Sequence, residues 1–390
     1  MRAQDNPYTP NAGARPPALM GRDEELEAFT VLLARLLAGH TEQSMLITGL
    51  RGVGKTVLLT RFEEMAREAG WTTVEAEITK NSDFGDRMAN LARRALLQVA
   101  PRVHWKKRAL RAAAVLRSFQ LTVRPDGSVT AGFDVDPAEG LADSGRLDED
   151  LTDVFVALGE AAQENGTGVV FLIDEVQFLD TVEFEALVAA IHKTVQRQLP
   201  ITLVGAGLPQ LPRLAGEAKS YAERLFKFPR IGRLSDDQAR AALAEPAERL
   251  GVRFGDDALA AVVAYTEGYP YFLQEYGSAL WNQIDELKVS AEDVAFAQAA
   301  VEAKLDGGFF TVRIERASEL EQRYLRAMAE LGSQPQRTKD VAELLGRTSE
   351  QVAPIRARLI EKGLLYTPGR GLAAFTVPQF DRFMLRTYSL

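Results

Sequence analysis

The sequence predicts an α/β fold: a mostly parallel sheet covered on both faces, then a small helical unit, then a C-terminal winged helix-turn-helix. Three observations carry this expectation. Short apolar runs alternate with helix-periodic segments between residues 18 and 234, which is the pattern of successive βα units. Residues 235–312 keep the helical period and lose the strand runs. Residues 313–390 read as three helices followed by two short β runs around Pro368-Gly369-Arg370-Gly371, the order of a winged helix.

The elements follow in chain order. Residues 1–17 are rich in Pro, Asn and Gly without periodicity and predict an extended arm and not a packed element. Leu26, Phe29, Leu32, Leu33 and Leu36 then recur at helical spacing behind acidic residues, which suit a helix N-terminus. SMLITG predicts a buried strand, KTVLLTRFEEMAREAG a helix and WTTVEAEIT a second strand. DRMANLARRALLQVA is helical, whereas SFQLTVRPDGSVTAGFDV reads as two alternating runs across a Pro-Asp-Gly turn. That pattern predicts a hairpin insertion near residues 101–150. GVVFLIDE is the third strand, EFEALVAAIHKTVQ a helix and ITLVGAG the fourth strand, with a short helix and a fifth strand in SYAERLFKFPRI.

Composition narrows the function classes. At 390 residues, with 46% hydrophobic and 26% charged, the chain is long enough for two or three globular domains. It has no cysteine, which removes disulfides, thiol catalysis and Cys-ligated zinc. His40, His104 and His192 are too scattered for a metal cluster. No run approaches the roughly 18 apolar residues of a membrane span and no signal peptide is evident, so a cytoplasmic protein with no membrane partner is expected. The net charge of −8 opposes coating by nucleic acid over the whole surface. The charge is uneven, however: residues 318–390 hold 11 Lys and Arg against 8 Asp and Glu.

Gly49-Leu50-Arg51-Gly52-Val53-Gly54-Lys55-Thr56 fits G-x-x-x-x-G-K-[ST] between a predicted strand and a predicted helix. Glycines let backbone N–H groups wrap phosphates, and the helix N-terminus adds a favourable dipole. Lys55 should reach the β- and γ-phosphates of ATP, and Thr56 should offer its hydroxyl to Mg²⁺. Arg51 is free to point to solvent. Val169 to Ile173 form an apolar run ending in Asp174 and Glu175, a costly place for two carboxylates unless a cation or water faces them. Asp174 is the expected Mg²⁺ residue, and Glu175 the expected base for the attacking water.

With these motifs the chain resembles the AAA+ ATPases, nearest the origin-recognition-like and STAND branches, over nearly its whole length. Ala18 to Leu26 resembles the segment that lines the adenine site in those families, which implies Met20, Gly21 and Arg22 as cofactor-binding residues. Gly268-Tyr269-Pro270 resembles the Gly-x-Pro motif of the STAND helical lid, which implies Pro270. The resemblance further implies sheet order 5-1-4-3-2, ATP hydrolysis to ADP and phosphate, and a nucleotide-driven switch that can assemble as a homo-oligomer. Arg224 is similar in position to the arginine finger that reaches a neighbouring subunit's nucleotide; on the residues alone it is equally a surface arginine paired with Glu223 or Glu217. No polar sensor side chain stands in Val204-Gly205-Ala206-Gly207. The alternative reading is a DNA-binding or scaffold module holding a structural nucleotide.

In the tail, Val352, Ile355, Leu359 and Ile360 are expected to face a core, leaving Ser349, Gln351, Arg356 and Arg358 as groove readers and Arg370 at the wing tip. The partner of this unit is double-stranded DNA or a protein. The aromatic residues Tyr265, Tyr269, Tyr271, Phe272, Tyr276 and Trp281 are expected to pack and not to form a ligand box.

Overall fold

The computed structural model describes residues 2–11, 13–80, 83–101, 105–124, 133–284 and 286–389. After the arm come α1 (Asp23–Leu37), β1 (Ser44–Thr48), α2 (Lys55–Glu68) and β2 (Thr72–Glu77). Three helices, α3 (Phe84–Val99), α4 (Lys107–Val123) and α5 (Leu147–Glu164), precede β3 (Val169–Asp174). The sheet is completed through α6 (Thr181–Gln196), β4 (Ile201–Gly207), α7 (Leu211–Ala218), α8 (Ala222–Leu225) and β5 (Phe226–Lys227). The strand order is β2-β3-β4-β1-β5 with every pairing parallel, the expected order read from the other edge.

Both faces of the sheet are buried, which explains the unbroken apolar runs. Successive residues of β1, β3 and β4 enter opposite cores. Met45, Ile47, Val170, Leu172, Val204 and Ala206 join a cluster with α1 and α2. Leu46, Phe171, Ile173 and Leu203 join a second cluster with α3 to α6. The first cluster runs on without a break into the C-terminal half of the chain, where it includes Tyr276, Tyr324, Phe375 and Phe380.

That half begins with α9 (Asp236–Glu248), β6 (Arg253–Phe254), α10 (Asp256–Thr266), α11 (Pro270–Gln283), β7 (Lys288–Val289) and α12 (Ala291–Lys304). β6 and β7 pair in parallel, a two-residue ladder in a region expected to be free of strands. A π-helical turn, Leu305–Thr311, leads into α13 (Val312–Ile314) and α14 (Glu319–Glu330). Next come β8 (Gln336–Arg337), α15 (Thr338–Leu344), α16 (Ser349–Glu361), β9 (Leu365–Tyr366), β10 (Leu372–Phe375) and α17 (Phe380–Thr387). β10 lies between β8 and β9, antiparallel to both. Helices α14 and α16 start with reciprocal caps, Ser318 with Glu321 and Thr348 with Gln351, which satisfy N–H groups the helices leave open.

Two expectations fail here. Residues 118–123, expected as the first strand of a hairpin, are the end of α4. Ala109, Ala112, Ala113, Leu116 and Phe119 repeat at helical spacing and are buried, and α4 packs on α3 and α5. Tertiary burial of that stripe outweighs the alternation of a few residues. The Pro-Asp-Gly turn and most of the second run fall in 125–132, outside the described residues. The arm, in turn, is packed. Tyr8 is buried and its hydroxyl donates to Leu243 O at 2.6 Å, Asn6 donates to Ser278 O, and Trp281 Nε1 donates to Arg2 O.

Candidate functional site

The glycine-rich loop joins the C-terminal end of β1 to the first turn of α2. Gly54 caps α2 with φ +93°, a left-handed conformation that side chains resist. This turn sets Lys55 and Thr56 at the helix N-terminus, where backbone N–H groups and the helix dipole favour an anion. Lys55 is buried and its Nζ donates to Gly49 O at 3.1 Å and Leu50 O at 2.8 Å. Burial pushes its pKa down to about 8 against the pull of Glu175 and Asp174.

Two strands away in the sheet order, β3 ends beside that helix. Thr56 Oγ1 donates to Asp174 Oδ2 at 2.5 Å. Burial raises the Asp174 pKa, against the Thr56 hydroxyl and the Glu175 N–H that bond it. Glu175 turns off the strand in a left-handed conformation, φ 56°, which carries its side chain into a cleft of about 430 Å³ lined by residues 51–57. Arg51 does not simply face solvent: its Nη2 lies 3.9 Å from Glu175 Oε2.

A family model described as AAA ATPase domain matches residues 18–204. Residues 18–204 are an AAA+ ATPase domain. A second model, described as a domain of unknown function (DUF8462), matches residues 307–384. No match is found among curated proteins. Among solved structures, the chain is similar to the Walker-type ATPase PABY2304 of Pyrococcus abyssi at 15% identity and TM-score 0.57, covering 95% of this chain and 97% of that one. It is also similar to the ORC1 protein of Aeropyrum pernix in complex with DNA, at 18% identity, TM-score 0.46 and 95% and 94% coverage. A third is the RuvB Holliday junction branch migration motor of Thermotoga maritima, at 15% identity, TM-score 0.46 and 96% and 99% coverage. The fold is therefore shared across nearly the whole chain with the first of these.

Not every expected residue meets in the cleft of the AAA+ domain. Arg51, Gly52, Val53, Gly54, Lys55, Thr56, Met20, Arg22, Glu175 and Pro270 line it. Gly49 and Leu50 line a smaller hollow behind the loop, and Gly21 packs against Gln238. Arg22 is buried and donates to Gly21 O, Val53 O and Gly232 O, so its guanidinium ties the segment before α1 to the loop. Arg224 is exposed on α8, away from the cleft. Glu217 is paired with Arg213 instead.

Three contributions escaped sequence reasoning. Gln177 donates to Glu175 Oε2 while its Oε1 accepts from Leu208 N–H at 3.1 Å. A Cβ on Gly207 would stand 2.4 Å from that oxygen, so the bare end of β4 makes room for a polar group arriving from beyond β3. Thr9, Asn11, Gly13 and Ala14 of the arm form one wall of the cleft, held by Thr9 N–H on Gln274 and by Arg15 on Glu64. Gly308, Phe309 and Arg313 form another. Of the aromatic residues expected to pack, Tyr271 of α11 lines the cleft. Only contacts between residues far apart in the chain could reveal these three.

The C-terminal elements touch the same loop. Arg51 N–H donates to Thr376 O, Tyr271 N–H to Gly52 O, and the Tyr269 hydroxyl to Arg51 O. In α16, Val352, Ile355 and Leu359 are buried and Ile360 partly so. The expected groove readers are largely committed elsewhere. Arg356 Nη2 donates to Thr367 and to Leu372 O, fastening β9 and β10. Arg358 pairs with buried Glu321 at 3.0 Å. Gln351 closes the helix cap. Arg370 is exposed. No described helix is long and apolar enough to cross a membrane.

Proposed function

We propose that the protein binds ATP with Mg²⁺ in this cleft, hydrolyses it to ADP and phosphate, and uses the cycle to switch its C-terminal unit. The observation that supports this is the meeting of Lys55 and Thr56 with Asp174 and Glu175 beyond the C-terminal ends of β1 and β3, Thr56 and Asp174 in direct contact. Loop N–H groups from Gly52 to Thr56 would hold the phosphates, and Lys55 would exchange its two carbonyl partners for phosphate oxygens. The Thr56 hydroxyl and the Asp174 carboxylate fit Mg²⁺, because a carboxylate destabilised by burial gains from a dication beside it. A Mg²⁺ held by Thr56 and Asp174 would offset charge on the transferring phosphoryl group. Glu175 would take the proton of the attacking water as the terminal P–O bond breaks, with Gln177 holding its carboxylate in place. Leu19, Met20, Leu273 and Pro270 offer an apolar wall for the base.

In this reading residues 18–234 form the nucleotide domain, 235–312 the lid and 313–390 a winged helix. The winged helix acts first as an intramolecular clamp, because Thr376 holds the loop while Arg356 and Arg358 are engaged internally. DNA is the second reading, favoured by Arg347 and Arg370, both exposed and without an ion pair among the described residues. Arg224, exposed and likewise without an ion pair among the described residues, is available to a neighbouring copy, so an ATP-dependent homo-oligomer is part of the proposal.

The test is nucleotide titration and phosphate release with the full chain. Lys55→Ala should abolish tight ATP binding and turnover; undiminished affinity for a fluorescent ATP analogue sinks the assignment.

A further inference from the structure

Arg313 differs from the other arginines around the cleft. Arg22 is used up on three backbone carbonyls, and Arg51 faces Glu175. Arg313 donates to Phe309 O and lies over the Phe309 ring, 4.0 Å from its centroid. No carboxylate among the described residues pairs with it. Burial depresses its pKa, and the neighbouring Arg51 adds repulsion. A half-buried guanidinium with a second arginine beside it and no counter-ion is costly, and an anion entering the cleft would relieve that cost.

Position indicates which anion. Arg313, Phe309 and Gly308 line the cleft with Lys55 and Glu175. The Phe309 ring under Arg313 stacks on Tyr271 at 4.6 Å, and the Tyr271 N–H donates to Gly52 O, so Arg313 stands beside the part of the loop whose Arg51 faces Glu175. In the reading above, that is where water attacks the terminal phosphate. The local backbone is unusual as well: Arg313 follows a seven-residue π-helical turn, Leu305–Thr311, that contains Gly307 and Gly308. Such turns are rare and concentrate at functional sites. The turn joins α12 to the C-terminal unit, and Phe310 within it stacks on Phe383 of α17 at 5.1 Å.

We propose that Arg313 binds the terminal phosphate of the nucleoside triphosphate, so that the domain of unknown function supplies part of the nucleotide site. This rests on the nucleotide reading of the cleft. A triphosphate reaches Arg313 and a diphosphate does not. The π-helical turn is thereby drawn toward the loop in one state only, and Phe310 passes that movement to α17.

The experiment titrates the full-length protein and its Arg313→Ala and Arg313→Lys variants with fluorescent ATP and ADP analogues, with melting curves of the nucleotide-free proteins alongside. Arg313→Ala should lower ATP affinity about tenfold or more, the scale of one charge-assisted hydrogen bond, and change ADP affinity less than about twofold. Arg313→Lys should restore part of the ATP affinity. An unchanged ratio of ATP to ADP affinity overturns the proposal, whether both fall together, as for a purely structural arginine, or neither moves. Should the wild type bind neither nucleotide, the reading of the cleft falls with it; retained ADP binding in Arg313→Ala beside its loss in Lys55→Ala separates the two claims.

Discussion

The N–H of Arg51 donates to the carbonyl oxygen of Thr376 at 3.1 Å, which joins the glycine-rich loop directly to the end of β10. The contact is held from both ends. Thr376 is buried, and its hydroxyl donates to Gly363 O at 2.8 Å, while the Arg51 carbonyl accepts from Tyr269 at the start of α11. The sheet, α11 and the C-terminal elements therefore share one loop, and any phosphate that reshapes the loop acts on all three.

The Arg51 amide is thus a reporter of the clamp. In the nucleotide-free protein it should be protected from hydrogen exchange. If ATP and ADP set different states, its exchange rate should differ between them by about tenfold, a little over 1 kcal/mol in opening energy. Equal rates with both nucleotides argue against a switch.

Chemistry and binding should separate at Glu175. Glu175→Gln keeps the loop contacts and removes the base, so ATP should stay bound while turnover slows roughly 10²-fold or more. Gln177→Ala should slow turnover less, since it frees the Glu175 carboxylate without deleting it. Identical slow phosphate release from wild type and Glu175→Gln favours a structural nucleotide.

Glu321 should make the stability of the C-terminal unit depend on acid. Burial pushes its carboxyl up, but Lys362, the Ser318 N–H and Arg358 bond it and together hold its pKa at about 2. A depressed carboxylate contributes stability that is complete above its unfolded pKa, about 4.3. That contribution fades as pH falls toward 2. Glu321→Gln should cost about 2 kcal/mol at pH 7, and its melting deficit should shrink below pH 4; a deficit independent of pH refutes the ion-pair account.

For DNA, the expected Arg370 remains available and exposed Arg347 joins it, while Arg356 and Arg358 are engaged internally. Replacing both exposed arginines with alanine should flatten the slope of log affinity against log salt by roughly 2, about 0.9 per phosphate contact. Arg358→Ala should instead lower stability. No salt-dependent binding with ATP, with ADP or without nucleotide removes DNA as a partner.

Local pattern was enough for the sheet and the loop. The alternation of apolar runs with helical segments depends on chain-local burial periods, and Gly49 to Thr56 with Asp174 and Glu175 is a motif whose spacing is itself the chemistry. The order of the strands came from resemblance, since periodicity carries no information on which parallel strands are neighbours. What tertiary structure decided lies in long-range contacts. Residues 118–123 alternate over a short run, yet they finish a helix because a stripe from Ala109 to Phe119 is buried against α3 and α5. The arm has no period at all, yet Tyr8 anchors it through an acceptor 235 residues away. Arg313 lines the cleft, and Gln177 and Thr376 act on it from two other elements, through Glu175 and through the Arg51 N–H. Nothing local distinguishes them from surface or core residues, because their partners are fixed only when the apolar faces of the sheet, of α9 to α12 and of the C-terminal elements close together.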